Sequence, residues 1–398
     1  MPITRMTDLS LKNKRVLIRE DLNVPIKNGV ITSDTRIQAA IPTIRQALKA
    51  GAKVMVMSHL GRPEEGVRDP QFSLAPVAAY LSKEFREVPL IENWVNGFSM
   101  NSHDLVLLEN VRFNHGEIDN SRDLAQKMAK LCDIFVMDAF ATSHRAEAST
   151  FGIIETAPIA CAGPLLIKEL EALTKIMEKP AKPVVAIVGG SKVSTKLSLL
   201  EALVKKVDFL IVGGGIANTF IAAEGYTVGK SLHEPDLIDE AERLTTLAKS
   251  RGAEIIVPTD VVVGEKLSDD ADSAVRLVSQ IDDLEKIYDI GPDTTKHLIS
   301  IIKKAKTILW NGPVGAFEIE QFSEGTRAIA KAIADSNGFS VAGGGDTLAA
   351  IQAYGVGKDI DYISTGGGAF LSFLEGVPLP AIVALETRAA HEMSASHE

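Results

Sequence analysis

Short apolar runs that each end in a turn recur along the whole chain. Six runs in the second half meet glycine: VVAIV before GGSK, FLIV before GGG, EIIV-PTD-VVVG, TILW before NGPVG, FSV before AGGGD, and YIS before TGGGA. Runs in the first half end in charged turns instead: RVLI in REDLN, KVMVM in SHLGR, LVLL in ENVR, and IFVM in DAFATSHR. β-Branched runs followed by helical stretches are typical of βαβ units and buried parallel sheets. Ligands of such sheets bind outside the carboxyl ends of the strands, so the pattern predicts two α/β domains with chemically different sites.

The length and charge of the chain limit what it can bind. Its 398 residues favour two domains, and a hydrophobic fraction of 45% is enough for sizeable cores. The formal net charge of −10 argues against nucleic acid or an anionic membrane as the main partner. An anionic small molecule stays open, because charges are screened over about 8 Å at physiological salt and a local arginine cluster outweighs distant acids.

The targeting and cysteine patterns favour a cytoplasmic protein. The N-terminus, MPITRMTDLSLKNKR, has no apolar signal region, and no stretch approaches the length of a membrane span. Cys132 and Cys161 lie in apolar surroundings without CxxC spacing, which favours buried, reduced thiols. A reducing cytosol fits these observations.

The boundary between the domains is expected near residues 165–183. The segment LLIKELEALTKIMEKPAKP has the pattern of an amphipathic helix that ends at Pro180 and Pro183, before a new strand. The piece after Gly376, VPLPAIVALETRAA, has two prolines and then a short helical pattern. It either frays as a tail or returns to brace the first domain, and composition does not separate these alternatives.

The segment GGSKVSTKLSLLEALVKK, residues 189–206, places two glycines after a strand and then begins an apolar helix. This arrangement brings backbone N–H groups, Lys192 and Lys196 to a helix N-terminus, which suits an anion. A plain strand-to-helix turn with solvated lysines is the alternative.

Two further turns, AGGGDTLAAI at 342–351 and TGGGAFLSFL at 365–374, repeat this pattern of glycines followed by a helix with apolar periodicity. Three glycines in a row cost chain entropy, and close approach of the backbone to a ligand explains that cost better than a turn does. Asp346 is either an N-cap or the single carboxylate for a Mg²⁺ that nucleotide phosphates otherwise hold, and its place beside Thr347 favours the metal. Glu318, in NGPVGAFE, either binds a ribose hydroxyl or is solvated at a helix start.

Several common nucleotide-binding and catalytic motifs are incomplete or absent in the sequence. EGYTVGKS resembles a P-loop, but Glu224 occupies the position of its first glycine. No GxGxxG turn supports classical dinucleotide binding, and no HExxH, paired Cys/His cluster or GxSxG motif supports zinc or serine hydrolysis.

Polar side chains follow the apolar runs of the first half. In chain order they are Arg19, Asp21, Asn23, Arg36, His59, Arg62, Arg112 and Arg145. Strands that each bring a cation to one end of a sheet form a lining for a small, doubly anionic ligand, since arginine forks bind phosphate and carboxylate bidentately. Asp21 and Asn23 bind ligand hydroxyls or orient the arginines. His59 is favoured as a hydrogen-bond donor over a general base.

An anion site in one domain and a nucleotide-phosphate site in the other predict phosphoryl transfer between them. The chain offers no evident general base, which suits a carboxylate acceptor, because a carboxylate with a pKa of roughly 4 is already ionised at neutral pH. Catalysis then consists of positioning and charge stabilisation, and closure about a hinge excludes water.

These motifs, in this order, resemble those of the phosphoglycerate kinase family over essentially the whole chain. The matching segments are RxDxNVP (19–25), DTRI (34–37), SHLGRP (58–63), ENVRF (109–113), DAFATSHRAEAST (138–150), VGGSKVSTK (188–196), WNGPVGAFE (310–318), GGGDT (343–347) and STGGGA (364–369). The resemblance implies two Rossmann-like, three-layer α/β/α domains with mostly parallel sheets, joined by a hinge helix. It also implies a monomer that catalyses reversible phosphoryl transfer between 1,3-bisphosphoglycerate with MgADP and 3-phosphoglycerate with MgATP.

In the family pattern the C-terminal segment packs back on the first domain. The resemblance therefore implies a 3-phosphoglycerate-binding domain of residues 1–170 with about 380–398, and a nucleotide-binding domain of residues 171–379. The first pocket corresponds to Asp21, Leu22, Asn23, Arg36, His59, Leu60, Gly61, Arg62, Arg112 and Arg145. The nucleotide positions correspond to Lys192, Lys196, Gly214, Asn311, Glu318, Gly344, Gly345, Asp346 and Thr347.

The resemblance also implies catalytic roles. Arg36 would stabilise the transferring group, Lys196 would follow it, and Asp346 would hold Mg²⁺. Gly366, Gly367 and Gly368 would aim a helix N-terminus at the transition state.

Two positions depart from the family pattern: Glu20 stands in place of a small or apolar residue, and Ala141 in place of a common glycine. Neither removes a ligand, so they bear on closure kinetics more than on activity. Among the rival classes, a two-domain dehydrogenase needs the GxGxxG turn. A non-catalytic two-lobed binding protein has no reason to keep Lys196, Asp346 and three glycine-rich turns together.

Overall fold

The apolar runs form the two parallel sheets that the sequence predicts. The structure, a computed structural model, describes residues 3–100 and 102–395. These residues fall into two compact units: one extends to Glu171 and resumes at Pro378, and the other is Ala172–Val377. Each unit contains one six-stranded parallel sheet accompanied by helices, which confirms the predicted α/β class.

The sheet of the first unit contains six of its eight strands. In chain order the strands are β1 (Arg15–Arg19), β2 (Ile26–Lys27), β3 (Val30–Ile31), β4 (Lys53–Met57), β5 (Leu90–Ile91), β6 (Leu105–Leu108), β7 (Ile134–Met137) and β8 (Ile159–Ala162). Strands β2 and β3 form an antiparallel pair, and the others pair in parallel in the order β5-β6-β4-β1-β7-β8. Every residue of β6 and β7 is buried, which explains why these sequences are continuous apolar runs rather than alternating ones.

Helices cover this sheet through amphipathic faces. In chain order they are α1 (Thr35–Lys49), α2 (Ala75–Phe85), α3 (Arg122–Lys130), α4 (Ile153–Thr156) and α5 (Pro164–Met177). In α1, the residues Ile37, Ile41 and Ile44 repeat at helical spacing and lie in one apolar core with Val16 of β1 and Val54 of β4. Helix α5 is the helix expected near residues 165–183, and the division between the two units falls within it.

The second unit combines a parallel and an antiparallel sheet. Its strands are β9 (Val184–Gly190), β10 (Phe209–Gly213), β11 (Glu254–Ile256), β12 (Asp260–Gly264), β13 (Ser273–Leu277), β14 (Lys286–Ile290), β15 (Thr307–Asn311), β16 (Phe339–Gly343) and β17 (Tyr362–Ser364). The parallel sheet has the order β11-β10-β9-β15-β16-β17, and the antiparallel sheet has the order β13-β12-β14.

One predicted run belongs to both sheets of this unit. The segment EIIV-PTD-VVVG is not one strand: β11 lies at the edge of the parallel sheet, and β12 is the central strand of the antiparallel sheet. Pro258 lies between them. Proline has no N–H to donate to a ladder, so the chain leaves the first sheet at this residue.

The helices of the second unit are α6 (Leu197–Leu203), α7 (Gly214–Ala223), α8 (Ile238–Ser250), α9 (Pro292–Ile302), α10 (Glu324–Ala334), α11 (Gly345–Tyr354) and α12 (Gly368–Leu374). The last helix, α13 (Pro380–Ala395), packs on the first unit instead, against α4 and β8. The Arg388 guanidinium donates to the carbonyl oxygens of Glu155, Ala157 and Pro158. The segment after Gly376 therefore forms a packed helix rather than a fraying tail.

Two further features concern the burial of the cysteines and the length and hydropathy of the helices. Cys132 and Cys161 are both buried, as predicted, and burial raises the pKa of the Cys132 thiol to about 12. Within residues 3–100 and 102–395, no helix is both long enough and apolar enough to cross a membrane.

Candidate active site

Four neighbouring strands of the first sheet bring the predicted anion-binding residues to one edge. Strands β6, β4, β1 and β7 are adjacent and parallel, so the residues that follow them leave the sheet at the same edge. Arg19 ends β1, His59 follows β4, Arg112 follows β6 and Arg145 follows β7. Arg36 joins them from the first turn of α1.

Arg36 is held by the loop that follows β1. Its Nη1 donates to the carbonyl oxygen of Asn23 at 2.8 Å and lies 3.2 Å from Asp21 Oδ2. The Asn23 side-chain oxygen accepts from the N–H of Gly61 at 2.9 Å, which ties the β1 loop to the β4 loop. The contacts of Asp21 and Asn23 with Arg36 are those expected if both residues orient the arginines, which is one of the two roles that the sequence left open. The Arg36 side chain is still 34% exposed, so part of its guanidinium is accessible to an anion.

Arg112 is fixed at both ends of its guanidinium. Nη1 donates to the carbonyl oxygen of Gly61 at 2.8 Å, and Nη2 donates to Glu147 Oε1 at 2.9 Å. Arg145 Nη1 lies 3.8 Å from the same carboxylate oxygen. One buried carboxylate thus sets the positions of two arginines. The sequence pattern does not single out Glu147, although it lies inside the DAFATSHRAEAST motif.

The Asn110 side chain builds the turn that carries Arg112. Its Nδ2 donates to the carbonyl oxygens of Leu60 and Phe72 at 2.8 and 2.9 Å. Its Oδ1 accepts from the N–H of Arg112 at 3.1 Å. Asn110 is a second residue that the sequence pattern does not single out, and its place in ENVRF, two residues before Arg112, is the signal that indicates it.

His59 is buried among the arginines and is only 4% exposed. Burial, followed by the charges of Arg19, Arg112, Arg145 and Arg36, holds the pKa of its ring well below the ordinary value. A neutral imidazole carries one N–H donor and one acceptor. The same concentration of positive charge favours an anion at this edge.

The remaining predicted residues of the first pocket contribute differently. The side chains of Leu22 and Leu60 lie in the apolar core, so only their backbone atoms are available to a ligand. The N–H of Leu22 donates to Ser58 Oγ at 2.9 Å, and the Leu60 carbonyl accepts from Asn110. Both leucines therefore support the loops. Arg62, in contrast, is exposed.

The second sheet reverses its winding direction between β9 and β15, because β10 and β11 follow on one side and β16 and β17 on the other. Ligands of open α/β sheets bind at such a switch point, outside the carboxyl ends of the strands. The predicted nucleotide residues follow the ends of four strands of this sheet: Lys192 and Lys196 after β9, Gly214 after β10, Asn311 and Glu318 at and after the end of β15, and Gly344, Gly345, Asp346 and Thr347 after β16. The glycines predicted to aim a helix N-terminus at the transition state, Gly366, Gly367 and Gly368, follow β17.

Lys196 and Asn311 meet at the switch point. Lys196 Nζ donates a hydrogen bond to Asn311 Oδ1, and Asn311 Nδ2 donates to the carbonyl oxygen of Gly343 at 2.7 Å. Burial lowers the pKa of Lys196, and the charges of Asp346 and Glu375 oppose that shift. The ammonium group of Lys196 is therefore held by the end of β15, and the end of β15 is in turn hydrogen-bonded to the end of β16.

Asp346 and Thr347 occupy the first turn of α11. Gly344 is the N-cap of this helix, so the alternative that Asp346 caps it is wrong. Thr347 Oγ1 accepts from the N–H of Gly312 at 2.7 Å, which joins the β15 and β16 loops. The Asp346 carboxylate is exposed.

Glycines at the strand ends divide into two groups. A Cβ at Gly189 would lie 1.7 Å from a backbone oxygen of the β15 loop, and one at Gly214, where φ is +65°, would lie 2.7 Å from Gly190 O. These glycines let neighbouring loops approach one another. A Cβ at Gly345 or Gly367 would meet no atom within 4 Å, so these two border open space.

The glycine turn after β17 leads into a helix that packs against the helix following Lys196. Helix α12 begins at Gly368 and packs against α6, whose N-cap is Lys196. Glu318 and Lys192 are exposed; Glu318 lies in a turn just before the 3₁₀-helix Glu320–Phe322.

The donors at Asp346 fit a magnesium ion that a nucleotide brings with it. Mg²⁺ is usually bound by one or two carboxylates together with substrate phosphates, and Asp346 presents one exposed carboxylate beside Gly345, which borders open space. Over residues 3–100 and 102–395, no group of three or more His, Cys, Asp or Glu side chains would hold a metal without such phosphates.

An arginine-lined edge in one α/β unit and a lysine- and glycine-lined edge in another define a two-domain phosphotransferase. A family model described as phosphoglycerate kinase matches residues 6–377. The chain belongs to the phosphoglycerate kinase family and is a kinase.

Two solved structures are similar to this chain over nearly its whole length. The phosphoglycerate kinase from Coxiella burnetii is 54% identical with a TM-score of 0.94, and the one from Pyrococcus horikoshii OT3 is 34% identical with a TM-score of 0.81. Each comparison covers 98% of this chain and 100% of the other.

Proposed function

We propose that this kinase transfers a phosphoryl group reversibly between 1,3-bisphosphoglycerate with MgADP and 3-phosphoglycerate with MgATP, as a step of glycolysis and gluconeogenesis. One structural observation carries the proposal beyond family membership. His59 lies within the electrostatic reach of Arg19, Arg36, Arg112 and Arg145 at one sheet edge. A small molecule with a phosphate at one end and a carboxylate at the other matches that lining.

The first unit, which extends to Glu171 and resumes at Pro378, is the proposed 3-phosphoglycerate-binding domain. Arg36, Arg62, Arg112 and Arg145 bind the anionic groups, and His59 donates a hydrogen bond. Support comes from the partial exposure of the Arg36 and Arg145 side chains, which leaves nitrogens for a ligand.

The acceptor chemistry explains why no general base is needed. The carboxylate of 3-phosphoglycerate is ionised at neutral pH, since its pKa is roughly 4. In-line transfer then needs orientation and stabilisation of the charge on the transferring group. Arg36 supplies that charge from the first unit, and Lys196 supplies it from the second.

The unit Ala172–Val377 is the proposed nucleotide-binding domain. Lys196 accompanies the transferring phosphoryl group, and the backbone N–H groups at Gly367 and Gly368 face its oxygens. Asp346 holds the magnesium ion, which neutralises phosphate charge when it is bound. Glu318 binds the ribose, and Gly214, Asn311 and Thr347 shape the loops.

Direct transfer requires the two substrates to meet and water to be excluded. We therefore propose that the two units close about α5, the helix that contains the division between them. Closure of this kind both assembles a reaction site and keeps water from the phosphoryl group. The proposed enzyme is a cytoplasmic monomer.

The decisive experiment measures ADP formation from MgATP that depends on 3-phosphoglycerate, with reducing coupling enzymes that remove the acyl phosphate. The expected rate disappears when either 3-phosphoglycerate or Mg²⁺ is left out. Nucleotide binding without any such rate would contradict the proposed reaction and support a two-lobed binding protein.

A matched pair of variants tests the substrate-side role of Arg36. Arg36→Ala is expected to abolish most turnover while the affinity for nucleotide stays nearly unchanged, because Arg36 belongs to the other unit. Arg45→Ala removes an exposed arginine of the same helix, which pairs with Glu84, and is the control. Equal losses of turnover and nucleotide affinity in Arg36→Ala would contradict the role.

A further inference from the structure

Arg19 does not reach out to a ligand, although it lies in the cationic edge of the first sheet. Its residue is completely buried. Nε donates to Ser149 Oγ at 2.9 Å, and Nη1 donates to the carbonyl oxygen of Glu20 at 2.6 Å. Nη2 lies 3.2 Å from Nδ1 of His59. All three guanidinium nitrogens are therefore engaged within the protein.

We propose that Arg19 is a positioning residue that fixes His59 as the neutral Nε2–H tautomer, so that His59 presents a permanent hydrogen-bond donor to the anionic substrate. The use of that donor rests on the proposed function, whereas the tautomer itself does not. His59 would then take no proton during the reaction.

The tautomer follows from what each partner can do. A guanidinium group has five N–H donors, has no acceptor, and is not deprotonated in proteins. The ring nitrogen that faces Arg19 Nη2 must therefore accept, which means that Nδ1 of His59 carries no proton. In a neutral imidazole the single proton then lies on the other nitrogen, Nε2.

The surroundings of Arg19 keep this contact in place. Ser149, the partner of Nε, is itself fixed: its Oγ donates to Glu117 Oε1 at 2.5 Å, and its N–H donates to Glu117 Oε2 at 3.0 Å. Burial lowers the pKa of Arg19, and the charges of Glu117, Glu147 and Asp21 oppose that shift. The contacts of Nε with Ser149 and of Nη1 with the Glu20 carbonyl therefore hold Arg19 in the position in which Nη2 faces Nδ1 of His59.

The strongest electrostatic influences on His59 all act against a second proton. Burial is the largest cause of its low pKa, and the guanidinium groups of Arg19 on β1, Arg112 after β6, Arg145 after β7 and Arg36 on α1 add to it. The ring therefore stays neutral through the physiological pH range. An Nε2–H donor that does not titrate gives the same hydrogen bond to an anion at every such pH.

The tautomer can be measured without substrate. In the ¹⁵N-labelled protein, two-bond ¹H–¹⁵N correlation spectra of His59 are expected to show an unprotonated Nδ1 and a protonated Nε2 from pH 5.5 to 8. A protonated Nδ1, or an even mixture of tautomers, would overturn the proposal whether or not the enzyme has the proposed activity.

Two variants of Arg19 separate positioning from folding. Arg19→Gln places an amide there that can accept as well as donate, so His59 should show mixed tautomers and a raised pKa. We expect the KM for 3-phosphoglycerate to rise about tenfold, the size of one hydrogen bond to a charged group, and to become pH-dependent. The dissociation constant for nucleotide should not change.

Arg19→Lys is the conservative variant, because an ammonium group also only donates. It should restore the Nε2–H tautomer and most of the substrate affinity. Equal defects in Arg19→Gln and Arg19→Lys, with the tautomer unchanged in both, would mean that Arg19 is only structural and would overturn the proposal. If Arg19→Gln does not fold, the spectra of the wild-type and Arg19→Lys proteins still determine the tautomer of His59 and so test the proposal.

Discussion

Arg112 and Glu147 form an ion pair whose two side chains are each only 6% exposed, with 2.9 Å between Nη2 and Oε1. Arg5 and Glu171 form a pair of the same length at the surface, with side chains 47% and 60% exposed. These two ion pairs of the first unit have the same length and differ in burial. The buried pair holds an arginine of the proposed substrate pocket.

Glu147→Ala is expected to lower the free energy of unfolding by about 3–5 kcal/mol, because removal of one partner leaves the buried Arg112 charge uncompensated. Urea denaturation measures this change. Glu147→Gln should cost less, since the amide oxygen still accepts from Nη2.

Glu171→Ala is the control for that experiment. A surface pair contributes about 0–1 kcal/mol, so its loss should be small. Equal destabilisation by Glu147→Ala and Glu171→Ala would show that burial does not determine the strength of these pairs.

Lys196→Ala is expected to lower kcat by roughly 10²–10³-fold, the typical effect of removing one preorganised group that stabilises transition-state charge. Its hydrogen bond to Asn311 contributes only about 1 kcal/mol to stability, so the thermal midpoint should change little. Lys205→Ala, at an exposed position of the same segment, is the control. Unchanged kinetics in Lys196→Ala would remove this lysine from the mechanism.

Asp346→Asn is expected to raise the magnesium concentration needed for half-maximal activity. The loss of a charged contact of about 1.5–3 kcal/mol corresponds to roughly a 10–100-fold shift. The measurement is a magnesium titration at fixed total ATP. Asp359→Asn, an exposed acid of the same unit, should titrate like the wild type, and an unaltered curve for Asp346→Asn would count against its ligand role.

Glu20 and Asp138 place two buried carboxyl groups together at the ends of β1 and β7. Apart from each other, the Glu20 oxygens and Oδ2 of Asp138 have no hydrogen-bond partner among the residues that the structure describes. Burial and then the charge of Asp138 raise the pKa of Glu20 well above its ordinary value. Burial also raises the pKa of Asp138, although its hydrogen bonds with Thr43 and the N–H of Leu166 oppose the shift. Glu20 is therefore the group that holds a proton.

This raised pKa predicts the direction of a pH effect on stability. The folded state binds more protons than the unfolded state between the unfolded pKa of Glu20, about 4.3, and its raised folded pKa. The contribution of Glu20 to stability is therefore fully present below the unfolded pKa and is lost as the pH rises through the folded pKa. Glu20→Gln replaces the protonated acid with an amide that always donates, so it should be more stable than the wild type at pH 8 by about 1 kcal/mol.

Urea denaturation of both proteins at pH 5 and pH 8 checks this prediction. The stability difference between them should grow with pH, and Glu155→Gln, an exposed glutamate of the same unit, should show no such trend. A wild-type protein that gains stability over Glu20→Gln as the pH rises would contradict the raised pKa of Glu20.

The parallel sheets could be predicted from the sequence because their strands are buried on both faces and so appear as continuous apolar runs. The antiparallel sheet could not, since β13 alternates between exposed and half-buried residues and gives no such run. The glycine turns could be recognised in the sequence, but the separation of their glycines into two structural groups could not. Whether a glycine faces a neighbouring loop, as Gly189 does, or open space, as Gly345 does, depends on tertiary contacts.

The predicted site residues lie at strand ends, as the run-then-turn pattern indicates. The pattern does not indicate which residues fix these side chains in position. Glu147 meets Arg112 from 35 positions away, and Arg19 meets His59 from 40 positions away. Such pairs cannot be predicted from local spacing, because they form only when the strands are arranged in their sheet.

Helix α13 completes the first unit although it follows the whole of the second, about 200 residues after the division in α5. At a synthesis rate of about 5–20 residues per second, this separation corresponds to roughly 10–40 s on the ribosome. During that interval the surfaces of α4 and β8 that α13 covers have no partner. The second unit can therefore complete its contacts before the first, although synthesis of the first unit begins earlier.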